Sequence, residues 1–446
     1  MPPAKITIIH PDLGIGGAER LIIDVALALQ SRGHPVTIYT SHRDKSHCFE
    51  EARDGTLDVQ VRGNTIFPAH VGGRLFVLMA ILRQLHLTWE LLVGEGATSG
   101  GTEDGEDEVF IVDQMPACVP FLKVFGGKKN SRTKQRILFY CHFPDQLLAR
   151  RDEGGSVLQV LKGLYRVPFD WFEGWAVSAS DKVVANSRFT RGVVSGVFGR
   201  EKVGELSVVY PVNRFERKKD LALAIRAYHG LGAEKRKGTR LVVAGGYDNR
   251  VQENVQYHRE LDELATGLGL QTATSKTVIS ALSIPDSIDV LFLLSVPTAF
   301  RDTLLLQAKL LLYTPINEHF GIVPVEAMRA GVPVLASNTG GPLETIVEGE
   351  TGWLRDAKVD ADWTAVMDKV LYGMKQEELD RMSVAAKERV EKEFSLTAMG
   401  EKLEQEIEEM LGQEQRPFHG FQQVLALLAL VGVVLALVAA FLVKLL

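Results

Sequence analysis

The chain has 446 residues, a formal net charge of -6 and a sequence pI near 6.0. That length suits about two or three domains, and the mildly acidic balance excludes a phosphate-backbone binder, which carries a basic face. The cysteines Cys48, Cys118 and Cys141 are odd in number and lack metal-ligand spacing, which predicts reduced thiols in a cytosolic compartment.

The start offers a short apolar run interrupted by His10, Pro11 and Asp12, so no signal peptide is predicted. Residues 5–10 read as a strand, Gly14, Gly16 and Gly17 as a glycine loop, residues 18–31 as a helix and residues 36–40 as a second strand. This is a βαβ unit. Residues 72–92 are rich in Leu and aromatics but carry Arg74, Arg83, His86 and Glu90, which argues against a membrane span. They fit either an amphipathic helix on a membrane surface or a buried helix of the first domain. Residues 94–108, "GEGATSGGTEDGEDE", read as a solvated loop. Apolar runs at 109–112, 137–140 and 182–185 supply further buried strands, and strands alternating with helices predict a parallel sheet covered on both faces.

After Tyr210 the pattern begins again, with a helix in "DLALAIRAYHGL" and strands in "TRLVVAGG", "IDVLFLLS", "KLLLYTP" and "GVPVLAS". The predicted organisation is α/β, with two doubly wound Rossmann-like domains, 1–210 and 211–412, facing a cleft. Between "KLLLYTP" and "GVPVLAS" the run "PVEAMRA" reads as a short helix, with Pro324 at its first position and Gly331 at its stop. The amides around Gly321, Ile322 and Val323 then lie at a helix N-terminus, where an anion such as phosphate is favoured. Glu326 falls in the first turn and Glu318 in the loop before it. At the far end, residues 424–443 form an uncharged run of 20 residues, enough to cross a hydrocarbon core of about 30 Å. Residues 421–446 are therefore expected to anchor the protein, leaving everything before them in the cytosol.

The glycine loop departs from the spacing of the dinucleotide fingerprint, and the second strand ends without a convincing ribose acid, so a nicotinamide dehydrogenase is disfavoured. "NRFERKKDL", residues 213–221, sets Arg214, Arg217, Lys218 and Lys219 just ahead of a helix. Cations there suit a diphosphate, although a charge run is often only a solvated face.

Glu318 and Glu326, with seven residues between them, resemble the E-x7-E signature of the retaining family 4 glycosyltransferases of GT-B fold. "GGAER", "YCHFPD", "NRFERKKDLALAI" and "NEHFGIVPVEAM" resemble, within that family, the alpha-1,3/1,6-mannosyltransferases of the dolichol-linked oligosaccharide pathway. The resemblance implies transfer of mannose from GDP-mannose to Man-GlcNAc2-diphosphodolichol at the cytosolic face of the endoplasmic reticulum membrane, with retention of configuration and no metal or other cofactor. It implies that Arg214 and Lys219 hold the diphosphate, that Glu326 binds the ribose and that Glu318 lies near the donor sugar. Phe320, Gly321 and Ile322 would shape the sugar and phosphate pocket, Gly16 and Gly17 would let backbone approach the donor, and His142 matches the family's active-site histidine. Other mannosyltransferases of the pathway are implied as partners.

One departure stands out against that family. A sizeable segment normally separates "VVYP" from "NRFERKK", including the domain linker and a strand; here Pro211 runs through Val212 straight into Asn213. The second sheet is expected to lack an element. Competing readings are another lipid-directed family 4 transferase, a retaining hydrolase using the two glutamates, and an inactive membrane-attached scaffold.

Overall fold

The computed structural model describes residues 2–70, 76–93, 106–126, 134–148, 156–199, 203–205, 215–295, 297–414, 418 and 420–426. Two compact units emerge, one of Met1–Asn186, Thr190–Leu206 and Gly400–Leu446, the other of Ser187–Phe189 and Ser207–Met399.

In the first unit the strands are β1 (Lys5–Asp12), β2 (Val36–His42), β3 (Asp58–Val61), β4 (Glu108–Asp113), β5 (Gln135–Cys141), β6 (Lys182–Ala185) and β7 (Val203–Glu205). They form one sheet of order β3-β2-β1-β4-β5-β6-β7, parallel throughout. Both faces are covered, so the inner strands are buried residue after residue: Ile6, Ile8 and Ile9 on β1, Val109 to Val112 on β4. The strand order reverses between β1 and β4. Their carboxyl ends, Asp12 and Asp113, therefore flank the switch point where ligands of such sheets bind.

The helix Phe76–Val93 buries Met79, Leu82, Gln84, Leu87 and Thr88 in this unit. Gln84 donates to the Met115 carbonyl at 2.7 Å and accepts from the Cys118 amide at 3.2 Å. Of the two readings of 72–92, the helix packed in the first domain describes this inner face; Phe76, Trp89 and Val93 are exposed. The predicted loop 94–108 overlaps β4, since Glu108 is its first residue; residues 94–105 lie outside the described residues.

The helix Leu396–Gly412 belongs, from Gly400 on, with the first unit, whereas the sequence division placed it in the second. Its acidic face explains the attachment: Lys182 pairs with Glu406 and Glu409, and Arg32 with Glu404. At its C-terminus Lys134 donates to the Leu411 carbonyl at 2.7 Å, and Arg136 to the Gln413 carbonyl at 2.8 Å. Cations suit that end, where carbonyls lack helical partners. Residues 421–426 are helical, and the rest of the expected span lies outside the described residues.

The second unit contains β8 (Leu241–Gly245), β9 (Thr272–Ser275), β10 (Val290–Leu294), β11 (Leu311–Tyr313), β12 (Val334–Ser337) and β13 (Gly352–Arg355). Among the described residues these form two three-stranded parallel sheets, β8-β10-β9 and β11-β12-β13, in place of one continuous sheet. One apolar core spans both, joining Val243, Val290 and Phe292 to Leu335 and Trp353 beneath Leu223 and Ile225 of the helix Leu221–Gly230, and separate clusters around Leu293 and around Val334 and Ala336 pack the other faces. The junction at Pro211 lies outside the described residues.

Candidate functional site

Lys219 closes the short turn Arg217–Lys219, and Asp220 follows in the left-handed region at φ 42. The turn is tied down on both sides: the Phe215 amide donates to the Gly246 carbonyl at 3.1 Å, and the Thr314 hydroxyl donates to the Lys219 carbonyl at 2.6 Å. The cations of this run then part company. Arg217 turns to Glu260 at 2.5 Å and lies over the Tyr257 ring. Lys218 is exposed and pairs with Glu216 at 3.0 Å. Lys219 is buried, and its ammonium meets the Glu318 carboxylate. Arg214 lies outside the described residues.

Burial pushes the Glu318 carboxyl up, but Lys219 beside it, with smaller help from His319 and Lys218, brings it below its ordinary value. Burial, together with the negative charge of Glu318, drives the Tyr313 phenol well above its usual range, so it stays neutral beside this carboxylate. Glycines support the loop from beneath. The Gly341 amide donates to the Glu318 carbonyl at 2.7 Å. A Cβ on Gly340, which sits at φ +67, would overlap the Glu318 carbonyl, and one on Gly341 would overlap the Phe320 carbonyl. The backbone approach leaves no room for a side chain.

Gly321, at φ 80, caps the helix Ile322–Ala330, and Gly331 ends it in the same left-handed region. The helix thus begins two residues before the predicted start. Pro324 is its third residue rather than its first, and Glu326 its fifth, past the first turn. The reason is the glycine: its positive φ lets the chain enter the helix directly after the Glu318 loop. Among residues 321–323, Ile322 and Val323 carry the first helical amides. The Phe320 ring is buried, 5.8 Å from the Phe394 ring. What Phe320 offers a ligand is main chain.

In the first unit Gly16 caps the helix Gly17–Ser31 with extended backbone at φ -161. A Cβ on Gly14 or Gly17 would meet nothing. These glycines keep space open at the end of β1, and no backbone strain demands them. His142 lies just past β5 and donates from Nε2 to Asp113 Oδ1 at 2.9 Å. The other oxygen of Asp113 accepts from His10 Nδ1 at 2.7 Å. Burial raises the Asp113 carboxyl, but the charge and hydrogen bonds of His142 and His10 outweigh it and hold it at about 2. Gln114, next in the chain, has φ 60, a sparsely populated conformation for a residue with a side chain. The loop after His142 is held from the helix Ser156–Ser178, where Glu173 accepts from the Asp145 and Gln146 amides at 2.7 and 3.1 Å.

Among curated relatives, the alpha-1,3/1,6-mannosyltransferase of Neurospora crassa is 49% identical over 442 residues, covering 91% of this chain and 90% of the relative. Those of Schizosaccharomyces pombe and Saccharomyces cerevisiae are 44% and 39% identical, over 91% and 92% of this chain and 81% and 86% of theirs. The chain belongs to the alpha-1,3/1,6-mannosyltransferase family. This mannosyltransferase family member also matches the Glycosyl transferases group 1 model over residues 198–389, which contain Lys219, Glu318 and Glu326. Its fold is GT-B, as in sucrose-phosphate synthase from Thermosynechococcus elongatus (TM-score 0.64, 15% identity, 92% of this chain and 99% of that one). HepE of Anabaena, solved in complex with UDP, aligns similarly (TM-score 0.61, 16% identity, 91% and 100%). The protein is a glycosyltransferase.

Sequence reasoning named Lys219, Glu318 and His142 as candidate site residues, and did not name the residues that the structure places against them. Tyr313 sits in a run read only as a strand. The pair Gly340 and Gly341 in "NTGGPLE" was available as a signal of close backbone approach. His10 was read as an interruption of an apolar run and the end of the strand 5–10, and Asp113, one residue past the apolar run 109–112, was not singled out.

Proposed function

We propose that this protein transfers mannose from GDP-mannose to the dolichyl-diphosphate acceptor Man-GlcNAc2-diphosphodolichol, forming alpha-1,3 and alpha-1,6 linkages with retention of configuration. What supports the reading most is the burial of Lys219 against Glu318, one turn of chain from the helix amides of Ile322 and Val323. In the proposed step the bond from the anomeric carbon to the GDP β-phosphate oxygen breaks and that oxygen gains negative charge. Lys219, Arg214 and the amides stabilise it by preorganised electrostatics, and no bound metal is required. The acceptor hydroxyl attacks from the same face and yields its proton to the departing phosphate. Glu318 stabilises positive charge at the anomeric centre, and Glu326 binds the ribose. Gly16 and Gly17 let the backbone approach the donor.

Membrane attachment by residues 424–443 and catalysis on the cytosolic side of the endoplasmic reticulum membrane complete the proposal, since a dolichyl acceptor resides in a bilayer. Other mannosyltransferases that make the acceptor or extend the product are proposed partners. Donor selectivity tests the reading. Purified full-length chain should move label into organic-extractable lipid from GDP-mannose and not from UDP-glucose or UDP-N-acetylglucosamine; preference for a uridine donor would refute it.

A further inference from the structure

Asp113 is completely buried at the end of β4, and each of its oxygens is taken by a different imidazole. A carboxylate has lone pairs and no proton to give, so both contacts require an N–H on the histidine side. His10 must then carry its proton on Nδ1, and His142 must carry one on Nε2. The three residues come from three adjacent elements: His10 from β1, Asp113 from β4, and His142 from the turn after β5. They meet where the strand order reverses.

His10 pays for this arrangement. It is 1% exposed and its Nε2 has no hydrogen-bond partner among the described residues, so a buried ring nitrogen is left unmatched there. A purely structural histidine inside an apolar strand would be expected to satisfy both nitrogens. The cost is tolerated at a residue whose visible contribution is a single N–H to Asp113.

We infer that Asp113 is a positioning residue that fixes the tautomer and orientation of His142, with His10 holding the far side of the carboxylate in place. This rests on taking His142, which matches the family's active-site histidine, as part of the proposed transfer site. In the fixed state His142 Nδ1 is a hydrogen-bond acceptor and never a donor for its neutral ring. The nitrogen suits a substrate hydroxyl that donates. A ring free to exchange tautomers would spend part of its time as a donor there and repel that hydroxyl's proton. With His10 on Oδ2, the carboxylate cannot swing away from His142 without leaving a buried N–H unpaired.

The test uses the full-length chain in detergent, labelled with ¹⁵N-histidine, with His142 signals identified by their absence in His142→Ala. The parent should show His142 protonated on Nε2. Asp113→Asn is isosteric, but its amide can accept from one imidazole only and must donate to the other. One ring has to change tautomer. Turnover in Asp113→Asn should fall about 10- to 100-fold, the effect of one lost or misdirected hydrogen bond, with the Michaelis constant for GDP-mannose within about twofold of the parent. His10→Leu should show the same split, and His10→Asn, whose amide N–H stands in for Nδ1–H, should restore turnover relative to His10→Leu. Thermal melting of each variant separates these effects from unfolding.

His142 protonated on Nδ1 in the parent would overturn the inference. So would folded Asp113→Asn in which the His142 proton has moved to Nδ1 yet turnover is unchanged while His142→Ala is impaired. If His142→Ala itself keeps full turnover, the placement of His142 in the transfer site is what fails, and the tautomer spectra tell that failure apart from the loss of the Asp113 lock.

Discussion

The ammonium of Lys219 is held by the carboxylate of Glu318, although 99 positions separate them in the chain. Under the proposed function, the cation assigned to the diphosphate is thus already paired with the acid assigned to the sugar. The pairing keeps Lys219 in place at a buried position, and it also competes with phosphate for the same charge.

That competition gives opposite outcomes for the two partners. Lys219→Ala should weaken GDP binding and lower turnover by about 10²- to 10³-fold, since the charge it meets grows as GDP leaves. Glu318→Gln should lower turnover as well, yet bind GDP at least as tightly as the parent, because the freed ammonium no longer divides its charge. Calorimetry with GDP checks the sign, and weaker GDP binding by Glu318→Gln would remove the competition from the account.

Glu326→Gln should behave differently from both. A ribose contact is present in ground state and transition state alike, so its loss should mainly raise the Michaelis constant for GDP-mannose with turnover largely retained. Initial-rate kinetics decide this, and a pure turnover defect would exchange the roles of the two acids.

Gly341→Ala should be among the most damaging small changes in the second unit. The added methyl overlaps the Phe320 carbonyl, a main-chain atom that cannot rotate away. We expect a loss of about 1–3 kcal/mol in stability and at least about 10²-fold in turnover as the Glu318 loop is displaced. Tyr313→Phe should be milder, reducing turnover while the chain stays folded, because it removes only the phenol hydroxyl beside the Glu318 carboxylate. Thermal melts and turnover measured side by side check both.

Much of this arrangement could be read before any coordinates. Buried parallel strands such as Val109 to Val112 are unbroken apolar runs, so β1, β4, β5, β6, β10 and β12 announce themselves. The strands β3, "DVQV", and β9, "TATS", do not, because sheet-edge positions tolerate polar residues and leave no apolar signature. Lys219 and Glu318 were legible through their resemblance to a known signature. Tyr313, Gly341, Asp113 and His10 were not, since each earns its place through a contact made across the fold, and a local pattern carries no record of that. The early start of the helix Ile322–Ala330 was missed for a simpler reason: Pro324 satisfies an N-terminal rule, but Gly321 at positive φ satisfies it sooner.

Glu173 provides a pH-dependent check on the first unit. Burial raises its carboxyl to about 6 against the bonds it accepts from Asp145 and Gln146. A carboxyl raised on folding favours the protonated native state, so its contribution is fully present below the unfolded value of 4.5 and is lost as pH rises through about 6. Because its amide must face one of those two N–H donors, Glu173→Gln carries a constant cost, but its stability relative to the parent should rise by about 1–2 kcal/mol from pH 4.5 to pH 7.5. Thermal midpoints across that range test the sign.

The most direct measurement is product analysis after incubating purified full-length chain with labelled GDP-mannose and a phytanyl-diphosphate-linked Man-GlcNAc2 acceptor. The account predicts two successive additions to the lipid-linked sugar, one alpha-1,3 and one alpha-1,6, both removed by alpha-mannosidase and both abolished in Lys219→Ala. Release of free mannose with no labelled lipid, or label transferred equally well by Lys219→Ala, would contradict it.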